Sequence, residues 1–371
     1  MITSFWEYQE IFEGVDFCIV GAGIVGSCTA IFLRKQFPDA KILILERGML
    51  PKGASTKNAG FACFGSISEI LDDHNSMSTH EISELIKLRI DGLQLLKSLC
   101  SPELMDYKSL GGYEVFDDAS ANVYTAKIEE YNNLVEQASG LKNCFSLVDN
   151  KFGFKFGSSM IFNQYEGQLN PVKMLMHLHK RIEESGSKII FGANIKSIDE
   201  NELSVEIING PTLRPFKLIL CTNAFSKKFL PEFNLRPARN QVLVSKPIKD
   251  LKLNGTFHYD KGYVYFRNSG NRLLIGGGRN IDPDNEATEE FGANELIKKY
   301  LMDLVQDKIL SNSSFEIEYE WSGIIAVGDK KVPHIKQINK NTFAAFRLGG
   351  MGVAIGSKVA QNLTNLIANN S

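Results

Sequence analysis

Between Val15 and Arg47 a short apolar run, Phe17-Cys18-Ile19-Val20, feeds directly into Gly21-Ala22-Gly23-Ile24-Val25-Gly26. A helical stretch follows, then Lys41-Ile42-Leu43-Ile44-Leu45-Glu46. Strand, glycine turn, helix and second strand in this order form a βαβ unit of the nucleotide-binding kind. Gly21 permits the tight turn, Gly23 lets a pyrophosphate approach the backbone, and Gly26 lets the helix pack close to the sheet. The helix beginning near Ile24 and Val25 aims unsatisfied N–H groups and the positive end of its dipole at the phosphates. Glu46 ends the second strand, where a carboxylate accepts ribose hydroxyls and repels a 2′-phosphate, so NADP is disfavoured.

The chain has 371 residues, enough for two domains, and no low-complexity linker or internal repeat separates them. An interleaved arrangement is expected. A formal net charge of −2 offers no broad attraction to nucleic acid or an anionic membrane. The start, Met1-Ile2-Thr3-Ser4-Phe5-Trp6-Glu7, lacks a basic segment leading into an apolar one. No run approaches the ~18 apolar residues of a membrane span, and a cytoplasmic protein is expected. Six cysteines, at 18, 28, 63, 100, 144 and 221, contain no CxxC pair, so neither a zinc site, a redox dithiol nor disulfides are expected. His177 and His179, two apart on one helix, point to different faces and do not share a metal. His258 and His334 fall near strand ends and read as surface or capping groups.

Along the chain, residues 79–100 predict a helix with a broad apolar face, from Ile82 and Leu85 to Leu96. A β-hairpin signal lies at Gly111-Gly112-Tyr113-Glu114-Val115, and a second helix at 121–139. Pro171 opens a further helix that Gly186 ends before Lys188-Ile189-Ile190-Phe191, a second crossover onto the nucleotide sheet. Lys217-Leu218-Ile219-Leu220-Cys221 reads as a strand covered on both faces. From Arg239 to Glu320 alternating strands predict a mostly antiparallel sheet, and Phe343-Ala344-Ala345-Phe346 leads through Gly349-Gly350-Met351-Gly352 into a C-terminal helix.

Two further glycine-bearing turns distinguish this chain from a simple NAD binder. Gly53-Ala54-Ser55-Thr56-Lys57-Asn58-Ala59-Gly60-Phe61 is small and hydroxyl-rich, suited to a long dinucleotide lying against the backbone, with Ser55 available to a phosphate. Gly349-Gly350-Met351-Gly352 opens a helix whose N–H groups suit negative charge. With these, Tyr165-Glu166-Gly167-Gln168-Leu169-Asn170-Pro171 and Leu220-Cys221-Thr222-Asn223-Ala224 occur in order. The chain resembles the D-amino-acid oxidase superfamily of FAD-dependent amine oxidoreductases, alongside glycine oxidase, sarcosine oxidase and γ-glutamylputrescine oxidase, from about residue 14 to the C-terminus.

The resemblance implies an α/β fold. A glutathione-reductase-like FAD-binding domain would comprise 1–78, 150–235 and 321–371, and an inserted α+β substrate domain 79–149 and 236–320. It implies FAD held by Gly21, Gly23, Ile24, Val25, Gly26, Glu46 and Arg47, by Ala54, Ser55, Asn58, Ala59, Gly60 and Phe61, by Ile195, Cys221, Thr222 and Asn223, and by Gly350, Met351, Gly352, Val353 and Ala354. The adenine would meet backbone near Asn194-Ile195, and the flavin ring would sit by Asn58 to Phe61 and Gly350 to Ala354. Chemistry of this kind passes hydride from a carbon beside an amine to flavin N5, giving an imine that hydrolyses, with oxygen or a quinone as final acceptor. Tyr265, Arg267 and Trp321 are expected in the substrate pocket. Relatives that bind an α-carboxylate carry an Arg just after Trp-x-Gly; in Trp321-Ser322-Gly323-Ile324-Ile325 that place is Ile325. This favours a plain amine, unless Arg239, Arg267 or Arg347 substitutes. No Cys stands at 323–329 to tether a flavin, so FAD is expected to be non-covalent, without a metal. Alternatives on the same scaffold are a 2-hydroxy acid dehydrogenase, a tRNA-aminomethyl-modifying flavoprotein, which would need a basic stripe, and a flavin-binding protein without catalysis.

Overall fold

The computed structural model describes residues 3–199, 201–311 and 313–370. Six strands form one sheet in the order His334–Gln337, Thr342–Phe346, Lys217–Leu220, Phe17–Val20, Ile42–Glu46, Lys188–Phe191. All neighbours run parallel except the first pair. The continuous apolar runs are explained by burial on both faces. Phe17, Ile19, Ile42, Ile44, Ile219 and Phe343 point into one core, while Cys18, Val20, Leu43, Leu45, Leu218 and Leu220 point into another.

Helices cover the first face. Ile24–Gln36, Pro171–Glu184, Thr79–Leu99 and the C-terminal Gly352–Ala368 contribute Ile31, Leu178, Leu93 and Leu363 to one core. Gly92 makes the closest crossing: a Cβ there would overlap the Ala354 carbonyl, and Ser357 Oγ donates to Gly92 O at 2.7 Å. A three-stranded antiparallel sheet of Ile195–Asp199, Ser204–Ile207 and Thr212–Leu213 covers the second face.

The other large element is an eight-stranded sheet. Its order is Ile317–Val327, Arg236–Ser245, Arg272–Gly277, Val264–Ser269, Thr256–Tyr259, Gly112–Glu114, Ser159–Asn163, Phe145–Asp149. Pairing is antiparallel except between Thr256–Tyr259 and Gly112–Glu114. Phe257 and Phe266 stack at 4.8 Å in its core, with Phe154 edge-on to both. The helix Glu295–Leu304 packs Ile297 and Leu301 there.

Two local expectations are corrected, and two segments pack away from the domain in which they are expected. The glycines at 111–112 make no hairpin: Gly112–Glu114 is an interior strand between partners distant in sequence, and a Cβ on Gly112 would overlap the Glu166 carboxylate. The single helix expected at 121–139 is two, Asp118–Thr125 and Ile128–Ser139. Thr79–Leu99, expected with the substrate domain, packs into the core of the parallel sheet, because its apolar stripe meets the C-terminal helix. Ser159–Asn163, expected with the dinucleotide domain, pairs within the eight-stranded sheet. No helix among the described residues is long and apolar enough to cross a membrane.

Candidate active site

A cavity of about 510 Å³ runs from the carboxyl ends of the parallel strands to the eight-stranded sheet. Its cradle end is made of backbone. Gly21 has φ +104°, and a Cβ there would lie 2.7 Å from Cys221 O. A Cβ on Gly23 would lie 2.7 Å from Ser55 Oγ, which already accepts the Ile24 N–H at 3.0 Å. That bond locks the second glycine segment against the helix N-terminus and leaves the Ser55 hydroxyl proton and the remaining first-turn N–H groups for a ligand. Glu46 accepts from Ala22 N at 3.1 Å and Gly48 N at 3.0 Å while still lining the cavity. The Arg47 guanidinium stacks 3.7 Å over the Phe225 ring. Asn223, itself at φ +45°, accepts from Arg347 N and Leu348 N and so fixes the C-terminal glycine turn.

Of the residues expected to hold the cofactor, all line this cavity except Gly26 and Gly60. Both exceptions serve packing: a Cβ on Gly26 would overlap the Gly21 carbonyl oxygen, and one on Gly60 the Leu169 carbonyl oxygen. Asn194 and Ile195 line the end near Arg47.

The chamber at the other end differs from expectation. Tyr265 lines it, edge-on to Phe61 at 5.5 Å, and burial pushes its phenol up to about 12. Arg267, Trp321 and Arg347 do not line it. Arg267 turns inward to the carbonyls of Ala59 (2.6 Å) and Leu169 (3.3 Å), and burial pulls its guanidinium down to about 10. Trp321 donates its indole N–H to Lys57 O at 2.8 Å, tying the eight-stranded sheet to the second glycine segment. Arg347 donates to Val332 O. Each is drawn to buried or local carbonyls that no spacing rule announces.

His258 is also corrected: it lies inside, 7% exposed, not at a surface. Its Nε2 is 2.8 Å from Glu166 Oε2, and its ring meets Phe61 edge-on at 5.4 Å. Burial opposes the imidazolium, yet the Glu166 carboxylate prevails and lifts its pKa above the ordinary 6.5. Cys63 Sγ, Glu166 and His258 bring one donor atom each within 4.8 Å of one another. Burial pushes the Cys63 thiol well above its ordinary 9.0.

A charge network completes the wall. Lys331 reaches Glu69 at 3.1 Å and Asp73 at 2.7 Å, and Arg89, 1% exposed, reaches Glu69 at 3.3 Å and Phe64 O at 3.0 Å. Burial favours a neutral Glu69, but Lys331 and Arg89 together hold its carboxyl at about 2. Lys261 pairs with Asp72 at 2.8 Å. Glu69, Asp72, Lys261, Lys331, His258 and Arg279 all line the chamber, and sequence reasoning placed none of them there. Their partners lie up to 262 residues away, beyond any local signal.

The family model of FAD dependent oxidoreductases (DAO) matches residues 16–366. The chain belongs to that family. The oxidoreductase has no significant match among curated proteins. Among solved structures it is similar to glycine oxidase from Bacillus cereus ATCC 14579, with TM-score 0.76, 16% identity and coverage of 96% of this chain and 98% of that one. It is similar to L-proline dehydrogenase from P. horikoshii, with TM-score 0.75, 17% identity and coverage of 96% and 94%. An L-amino acid deaminase from Proteus vulgaris gives TM-score 0.73 at 15% identity, over 96% and 90% of the two chains. At these identities the likeness is one of fold, and the dinucleotide fold with its second sheet is shared by all three.

The oxidoreductase's own residues fit FAD. Cβ atoms on Gly21 or Gly23 would intrude on the glycine backbone that lines the cavity, and its wall carries a buried oxygen, Asn240 Oδ1, that has no donor among the described residues. A ligand hydroxyl or ring N–H satisfies such an atom.

Proposed function

We propose that this FAD-dependent oxidoreductase oxidises the C–N bond of a small amine or amino acid, giving an imine that water hydrolyses. The observation that carries the reading is the unbroken passage from the glycine cradle into a chamber walled by Phe61, Tyr265 and His258. The similar structures are a glycine oxidase, an L-proline dehydrogenase and an L-amino acid deaminase, which supports the same chemistry. Bound FAD supplies a hydride acceptor at its N5. Gly21, Gly23, Ile24 and Ser55 would hold the pyrophosphate, Glu46 and Arg47 the adenosine half, and Asn58 to Phe61 with Gly350 to Ala354 would flank the ring of a non-covalently held FAD. Phe61 and Tyr265 exclude water and favour the uncharged amine, whose lone pair assists hydride departure. The His258–Glu166 pair holds a proton at the chamber wall. Oxygen or a quinone would serve as the final electron acceptor. A cytoplasmic location is supported by six cysteines that are all unpaired.

Anaerobic mixing of the holoprotein with amines, amino acids and 2-hydroxy acids tests this. Bleaching of the oxidised flavin by members of the first two groups is expected. Bleaching by 2-hydroxy acids alone replaces the reading with the C–OH alternative.

A further inference from the structure

Ile325 occupies the place where a carboxylate-binding arginine would follow Trp-x-Gly, and that corner is apolar. Its Cδ1 stands 3.6 Å from where a Cβ on Gly350 would be. The three substitutes considered from the sequence are all committed elsewhere. Arg239 makes a two-point pair with Glu286 (Nε–Oε2 3.0 Å, Nη2–Oε1 2.8 Å), Arg267 serves the Ala59 and Leu169 carbonyls, and Arg347 serves Val332 O.

Arg279 is not committed. The strand Arg272–Gly277 ends in two left-handed glycines, Gly277 (φ +100°) and Gly278 (φ +77°), and a short 3₁₀ turn, Arg279–Ile281, then sets Arg279 on the cavity wall. A non-glycine residue at Gly277 would be strained and would overlap the Tyr263 carbonyl, so this reversal is built into the fold. The guanidinium lies 4.7 Å over the Tyr263 ring, which orients its plane. Among the described residues no side-chain or backbone oxygen bonds it. Of the carboxylates lining the cavity, Glu69 is paired with Lys331 and Arg89, Asp72 with Lys261, Glu46 accepts from Ala22 N and Gly48 N, and Glu289 acts on Arg47. Tyr265 pairs with Gly276, three residues before Arg279, and both residues line the cavity.

We infer that Arg279 is the anion-binding group of the substrate chamber, and that the amine oxidised here carries a carboxylate, which the Arg279 fork holds with the Tyr265 hydroxyl as a further donor. This rests on the C–N oxidation reading for the word amine, but not for the anion site. The anionic pole has moved from the Ile325 strand across Arg236–Ser245 to the end of Arg272–Gly277, two strand spacings or roughly 10 Å. The apolar corner at Ile325 therefore gives a misleading account of the substrate: the charge is met from another strand.

The test uses holoprotein and propionate as the probe, with the flavin absorption band as the readout. Wild type is expected to show a saturable spectral shift. Arg279→Met should weaken propionate binding by roughly 10- to 100-fold, the effect of losing a charge-assisted two-point bond, and Arg279→Lys should recover part of it. FAD content should be equal in all three, which separates the anion site from folding. In anaerobic reduction, Arg279→Met should raise KM for amino acids and leave the matching amino acid amides unchanged. No shift in wild type, or equal shifts in wild type and Arg279→Met, overturns the inference. Failure of every amine to reduce the flavin overturns the C–N reading instead, while the propionate titration still decides the role of Arg279.

Discussion

The two ends of the cavity are built from different material. At the cradle, backbone from three glycine turns converges and the few side chains used, Ser55, Glu46 and Asn223, mostly bond backbone N–H groups. At the chamber, charged side chains recruited from distant segments bond one another: Lys331 with Glu69 and Asp73, Arg89 with Glu69, His258 with Glu166. Backbone geometry tolerates no added atoms but is indifferent to pH. Side-chain charge tolerates changes of size but depends on every partner remaining present and ionised.

The largest expected effect attacks the cradle. Gly26→Val puts a branched side chain onto the Gly21 carbonyl, and the loss should exceed the roughly 1–3 kcal/mol of ordinary overpacking because backbone must shift. The ratio of flavin to protein absorbance in purified material should fall to near zero. Retained FAD at wild-type level would show that the close helix approach is dispensable.

Next comes the chamber network. Arg89→Met removes one of the two cations on buried Glu69 and should cost about 3 kcal/mol in denaturant unfolding, with FAD still bound in the native state. Loss of FAD together with stability would mean that the two ends are not independent.

The same network carries a pH signature. Glu69 is held at about 2 in the fold against an ordinary 4.5, so the unfolded chain binds more protons between these values. Its contribution is complete above pH 4.5 and is lost as pH falls toward 2. A Glu69→Gln protein should show a flatter decline in stability across that window. An unchanged slope would remove Glu69 from the account. His258 has the opposite sign: with its folded pKa raised, its contribution is complete below 6.5 and lost as pH rises through the higher folded value.

The smallest effect tests the strut between the two ends. Trp321→Phe deletes the indole N–H bond to Lys57 O and should cost about 1 kcal/mol, read by thermal unfolding, with substrate affinity unchanged. A large change in KM would return Trp321 to the pocket lining.

The cradle was legible in the sequence because its information is local. Gly21, Gly23 and Gly26 sit on one turn, and each glycine states a close approach that only a missing Cβ allows. Strands buried on both faces announced themselves as unbroken apolar runs such as Lys217–Leu220. The chamber was not legible beyond Tyr265 and Phe61. Glu166 lies within Tyr165–Pro171, but nothing in that segment says that its carboxylate reaches 92 residues forward to His258. Arg267 is expected in the pocket, but the carbonyls of Ala59 and Leu169 draw it inward. Arg279 carries no sequence signal, since it follows two glycines in an otherwise featureless turn, and its significance lies in what does not bond it.

The most direct test is one titration: flavin fluorescence as apoprotein is added to FAD, and separately to FMN. An extended cradle reaching from Arg47 to Tyr265 predicts quenching that saturates at equal amounts of FAD and chain, with FMN, which lacks the adenosine half, bound far more weakly. Equal affinity for FMN, or no binding of FAD, would contradict it.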